Sequence, residues 1–188
     1  VLEVEPGAVL DKLGPGDILL KGGNALDGDG NVGVCMASPT GGTMGQFYMA
    51  MKARGLAIIY PVGLEKMIPS VEAAAQFGGT LGFGKTIGAS VGMACVADGR
   101  VFTELDAVET LFGVYAVHFA SGGWGGAEGC VTLAVEGPDA KVNKCLKFIE
   151  QKIKGEPPLP ALKSPCKTCG IVCNFKGKDP RQLPAWLK

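Results

Sequence analysis

The segment Asp17-Ile18-Leu19-Leu20-Lys21-Gly22-Gly23-Asn24-Ala25-Leu26-Asp27-Gly28-Asp29-Gly30-Asn31-Val32 holds a short apolar run, a glycine pair and a turn-forming cluster. The run follows Leu13-Gly14-Pro15-Gly16, which is turn chemistry, so residues 17–21 read as a buried strand. Gly28-Asp29-Gly30-Asn31 is a second turn, and residues 32–37 are a second apolar run. Next come Ser38-Pro39-Thr40-Gly41-Gly42-Thr43 and a helix beginning near Thr43. Met44, Phe47, Tyr48 and Met51 recur at helical spacing and form one apolar stripe. Lys52 and Arg54 suit the last turn, and Gly55 stops it. Residues 56–60 read as a further strand, followed by the loop Pro61-Val62-Gly63-Leu64-Glu65-Lys66. Ser70 caps a helix over 71–77. Strands alternating with helices predict a Rossmann-like parallel sheet over residues 1–82, with ligands at the C-terminal ends of its strands.

Beyond residue 82 the pattern changes. Residues 92–97 form a strand, and Thr103-Glu104-Leu105-Asp106 resembles a capping box with Asp in place of Glu. Leu105, Val108, Leu111 and Phe112 give the next helix an apolar face. Strands over 114–120 and 130–136 flank a nine-residue connection with five glycines and Trp124. A last helix presents Val142, Cys145, Leu146, Ile149 and Ile153. The β-α-β-β-α order of residues 83–154 predicts a ferredoxin-like α+β unit. Residues 155–188 form a Pro- and Cys-rich C-terminal arm too short to bury a core of its own. The fold class is thus α/β: a Rossmann-like parallel sheet, a ferredoxin-like unit and a Cys-rich tail.

Composition narrows the function. The 188 residues are 47% hydrophobic and 19% charged, which excludes disorder over most of the length. Lys+Arg and Asp+Glu both number 18, so no charge footprint points to nucleic acid or to an anionic membrane surface. A neutral, hydrophobic chain predicts a homo-oligomer. The longest uncharged window, residues 32–51, is too polar and glycine-broken to span a bilayer. Seven cysteines, an odd number, without a secretory signal predict a cytoplasmic protein.

The order of features over residues 13–68 resembles the ligand-binding half of methylthioribose-1-phosphate isomerase and its relatives among initiation factor 2B subunits. The features are the strand and Gly-Gly-Asn-Ala segment at 17–25, the Gly-Asn turn at 30–31, Gly41-Gly42-Thr43 before a helix, and a strand ending in Pro61. That group belongs with ribose-5-phosphate isomerase, glucosamine-6-phosphate deaminase and the CoA-transferases. The resemblance places Asn24 where the family has its catalytic aspartate, and an amide cannot exchange a proton as a carboxyl group does. The family's catalytic cysteine lies upstream of the matched stretch, outside this sequence. The resemblance therefore implies a phosphate-sized anion site rather than the isomerase reaction.

Gly23, Asn24, Asp27, Gly41, Gly42 and Thr43 are the candidate ligand residues. Glycines let backbone N–H groups face an anion, and a helix N-terminus favours negative charge. Glu65 and Lys66, at a strand end, are the candidate catalytic pair. Cys166-x-x-Cys169-x-x-x-Cys173 has the look of a zinc or iron–sulfur ligand set one donor short. His118, the sole histidine, reads as a strand residue. The expected function is binding of a small phosphorylated or carboxylated metabolite, with isomerase or transferase chemistry if the protein is an enzyme. Two alternatives stand beside it: a metal-dependent redox or scaffold protein acting through the cysteines, and a regulatory subunit with a non-catalytic sugar-phosphate site.

Overall fold

The computed structural model describes residues 6–155, 164–171 and 173–187. After a short helix α1 (Pro6–Leu10) come β1 (Ile18–Leu20), β2 (Ala25–Leu26) and β3 (Val32–Met36). The helix after β3 begins with wide π-type turns (Met44–Tyr48) and continues as α2 (Met49–Ala53). β4 (Ala57–Pro61), a 3-10 turn (Leu64–Lys66) and α3 (Val71–Ala75) follow. The second half holds β5 (Gly92–Val96), β6 (Arg100–Phe102), α4 (Glu104–Phe112), β7 (Tyr115–Ser121), β8 (Val131–Glu136) and α5 (Asp139–Phe148).

Local signals account for these boundaries. Met44, Phe47 and Met51 of the expected stripe are buried, Tyr48 is half-buried, and the left-handed Gly55 stops the helix. The Ser70 hydroxyl accepts from the Ala73 N–H at 3.0 Å and caps α3. Thr103 and Asp106 form a full capping box on α4, since the shorter Asp still accepts from the Thr103 N–H at 2.7 Å.

The protein is α/β, with a three-stranded parallel sheet in the order β1-β4-β6. Pairing departs from the expected division of the chain at residue 82. β3 leaves the parallel sheet and joins an antiparallel one, β2-β3-β5. β5, expected within a ferredoxin-like unit, and β6, a strand not expected from the sequence, thus complete the two sheets of the first part, and β7–β8 stand as a separate hairpin. The cause is burial. Val96 on β5 enters the same core as Val32, Val34, Ile58 and Tyr60, all nearly inaccessible, so strands across the boundary share one interior. A smaller cluster of Val108, Val114, Ala116 and Cys145 lies between α4, α5 and the hairpin, and Leu105 packs against both. Leu146 and Ile153, expected in the core, remain exposed. Among the described residues, no helix is long and apolar enough to cross a membrane.

Candidate functional site

The C-terminal ends of the parallel strands, where the sequence places the ligand, are filled by the chain itself. Gly23 is buried, and a Cβ there would lie 2.7 Å from Val32 and 3.1 Å from Val62. Gly23 is therefore a packing glycine. Past β4, the Leu64 N–H donates to both carboxylate oxygens of Glu104, at 2.9 and 3.2 Å. A carboxylate held at this point occupies a donor an anion would need and repels the anion as well. Glu65 and Lys66 follow on the 3-10 turn, half-exposed and paired with each other at 3.7 Å.

Asn24 and Asp27 are tied to the antiparallel sheet. The Asn24 N–H donates to Gly33 and its Oδ1 accepts from the Cys35 N–H at 2.9 Å, which extends the β2–β3 ladder by one residue. Asp27 is 3% exposed. Its Oδ1 accepts from the N–H groups of Asp29 and Asn31, and its Oδ2 from the Asn31 side chain and the Val71 N–H. Burial pushes its carboxyl upward, but the bonds from Val71, Asn31 and Asp29 outweigh this and hold it below the usual carboxylate value. One carboxylate thus pins both the turn before β3 and the start of α3.

The glycine turn after β3 has a different character. Gly41 and Gly42 both take left-handed backbone, at φ +80° and +55°. The Gly41 N–H bonds back to Ser38, and the Gly45 N–H closes the first helical turn on Gly41. Gly45, which sequence reasoning missed, is essential to this geometry: a Cβ there would lie 1.9 Å from the Thr40 carbonyl oxygen. Thr43, near which the helix is expected to begin, is itself helical and makes no capping bond. The N–H groups of Gly42, Thr43 and Met44 have no backbone partner among the described residues. The Ser38 and Thr40 hydroxyls stand 2.9 Å apart on the approach to the turn. A cleft of about 440 Å³ reaches the segment before this turn at Ala37 and Pro39, and its other walls include Thr80, Ser90, Gly170 and Ile171. The tail therefore forms one wall of this cleft, docked by the bonds between Asn174 and Thr86.

The tail cysteines do not converge. The Cys169 Sγ accepts from the Ile171 N–H and the Cys173 Sγ from the Phe175 N–H, each at 3.4 Å, so each thiol is folded onto its own turn. The Phe175 bond is the chief reason that the Cys173 thiol lies below its usual value, with burial opposing it. Among the described residues no three His, Cys, Asp or Glu side chains gather to hold a metal, so Cys166, Cys169 and Cys173 do not form one zinc or iron–sulfur donor set.

Comparison with protein-family models, curated proteins and solved structures returns no match. The site's chemistry has to be read from its own geometry.

A second constellation carries no sequence signal. Asp98, in the turn between β5 and β6, receives the Tyr48 hydroxyl at 2.9 Å and pairs with the Lys52 ammonium at 2.6 Å. These two bonds hold its carboxyl below the usual range. Burial, then the bond to Asp98, raises Tyr48. Tyr60 on β4 is fully buried, and its hydroxyl has no hydrogen-bond partner among the described residues. Burial first, then the charges of Tyr48 and Asp98, push it up to about 12. The only sequence-level trace of this cluster is the helical stripe that includes Tyr48. The other members come from separate segments that the strand pairing brings together.

Proposed function

We propose that this protein binds a small anionic metabolite, phosphorylated or carboxylated, at Gly41-Gly42-Thr43, with the body of the ligand in the adjoining cleft. The observation that carries this reading is the helix entrance itself: two left-handed glycines, three N–H groups without backbone partners and a Thr43 hydroxyl not used as a cap. Backbone donors at a helix start suit an anion, and the cleft of about 440 Å³ has the size of a small-metabolite pocket. Binding without catalysis is the form the geometry favours. Asn24 is engaged with Cys35, Asp27 is saturated, and Glu65 pairs with Lys66. Among the described residues, the candidate acid–base groups are thus engaged away from the glycine turn.

The test is an amide NMR titration of the full chain with inorganic phosphate, then with a sugar phosphate. Saturable shifts should centre on Gly42, Thr43 and Met44. Thr43→Val should weaken binding about tenfold, the equivalent of one charge-assisted hydrogen bond. Shifts confined to the lysine side chains of α5, or no saturation at all, would remove the reading.

A further inference from the structure

Two hydroxyls of the protein stand in opposite positions. Tyr60 forms part of the wall of a cavity of about 360 Å³ beside β4, but its hydroxyl is sealed from solvent. Ser121, the last residue of β7, is exposed, and its hydroxyl oxygen lies 2.6 Å from Nε2 of His118, the sole histidine. In an unbroken strand, residues three apart point to opposite faces. Here His118 stands opposite Leu133 and Ser121 opposite Val131, which are two apart on β8 and share a face. The register shift between His118 and Ala120 makes the difference. Phe119 is an extra residue, and the bulge turns Ser121 onto the side of the histidine. That side faces the body of the protein, since Val131 and Leu133 pack against the larger core.

The chain after Ser121 supplies what a nucleophile needs next. The Gly122 N–H donates to the Cys130 carbonyl at 2.9 Å, and the Cys130 thiol donates to the Gly122 carbonyl at 2.8 Å. This pair closes the base of the loop and fixes Ser121 at the last rung before it. Glu128 is folded back onto the Gly126 N–H at 3.0 Å. The N–H groups of Gly123, Trp124 and Gly125 have no partner among the described residues. A base within hydrogen-bond reach of a hydroxyl, beside unspent backbone donors, is the arrangement that acyl transfer uses.

We infer that His118 and Ser121 form a nucleophilic dyad for acyl transfer from a small ester, at a site separate from the glycine turn. In the ring tautomer with its proton on Nδ1, Nε2 takes the Ser121 proton as the hydroxyl oxygen bonds to the ester carbonyl carbon. The loop N–H groups are the donors for the oxyanion that forms. Collapse breaks the bond to the leaving alcohol, which departs with the proton held by His118. Water then gives a proton to Nε2 and its hydroxide to the acyl carbon. The carboxylic acid leaves, and Ser121 recovers the proton. Among the described residues no carboxylate bonds the other ring nitrogen. A triad that loses its aspartate slows about 10⁴-fold, so acylation of the serine, rather than fast turnover, is the event to measure.

The experiment is labelling of the full chain with diisopropyl fluorophosphate, followed by peptide mass spectrometry. A serine oxygen attacks the phosphorus of this reagent as fluoride leaves. One phosphoryl group should appear on Ser121, and Ser121→Ala should remove it. His118→Gln, whose amide cannot take the proton, should slow the labelling at least about a hundredfold. The wild-type result needs no variant: label absent from Ser121, or spread over other serines at equal rate, would overturn the inference. So would an unchanged rate in His118→Gln. Phosphate should still shift Gly42, Thr43 and Met44 in the labelled protein, so the dyad and the glycine turn succeed or fail separately.

Discussion

The glycine turn after β3 and the tyrosine cavity beside β4 are built by opposite means. The turn uses backbone from one contiguous run, with Gly41, Gly42 and Gly45 giving it shape. The cavity uses side chains from separated segments: Ile18 on β1, Lys52 on α2, Tyr60 on β4, and Asp98 and Arg100 around the start of β6. A backbone site depends on torsion angles, and a side-chain site depends on sheet register. The two should therefore fail under different substitutions, and each prediction below separates them.

The largest effect belongs to Asp27→Asn. Whichever end of the carboxylate becomes an amino group loses two incoming donors, at least one of them a backbone N–H. The loss should be about 3 kcal/mol, on the scale of leaving buried donors unsatisfied. Urea unfolding would measure it. Asp27 supports β3 and α3 and does not line the cavity beside β4, so the effect is on stability. Gly99→Ala comes next. A methyl group driven into the Tyr60 ring should cost about 1–3 kcal/mol, as overpacking does, without changing the phosphate shifts at the glycine turn. Gly42→Ala inverts that pattern. Its Cβ meets nothing closer than Ser38 at 3.9 Å, but its φ is +55°. The strain should be about 1–2 kcal/mol, with phosphate binding lost.

The smallest effect is that of pH. Asp27 and Asp98 both lie below their usual carboxylate value in the folded protein. A depressed carboxyl contributes stability above its unfolded pKa, and that stability is lost as pH falls through the folded value. Stability should therefore decline below the ordinary carboxylate range. Asp98→Asn should flatten part of that decline, but only slightly, because the Lys52–Asp98 pair is solvent-exposed. Urea midpoints at neutral and acidic pH, compared between wild type and Asp98→Asn, would check it.

Much of the local structure was legible because its causes are local. The Met44–Phe47–Met51 stripe, the Ser70 cap and the Thr103–Asp106 box each depend on residues within a turn or two. The same holds for the glycine turn, apart from Gly45, whose necessity appears only once the Thr40 carbonyl is in place above it. What could not be read was pairing between distant strands. An apolar run such as residues 32–36 is compatible with either sheet, and its partner β5 lies about sixty residues on. Asp27 reads from the sequence as a candidate ligand residue, and nothing local announces its bond to Val71, forty-four residues on. The tyrosine cavity depends wholly on such non-local placement.

The most direct measurement is one amide NMR titration of the full chain with inorganic phosphate. The account predicts saturable shifts centred on Gly42, Thr43 and Met44. Phosphate leaving the glycine turn unmoved would contradict it.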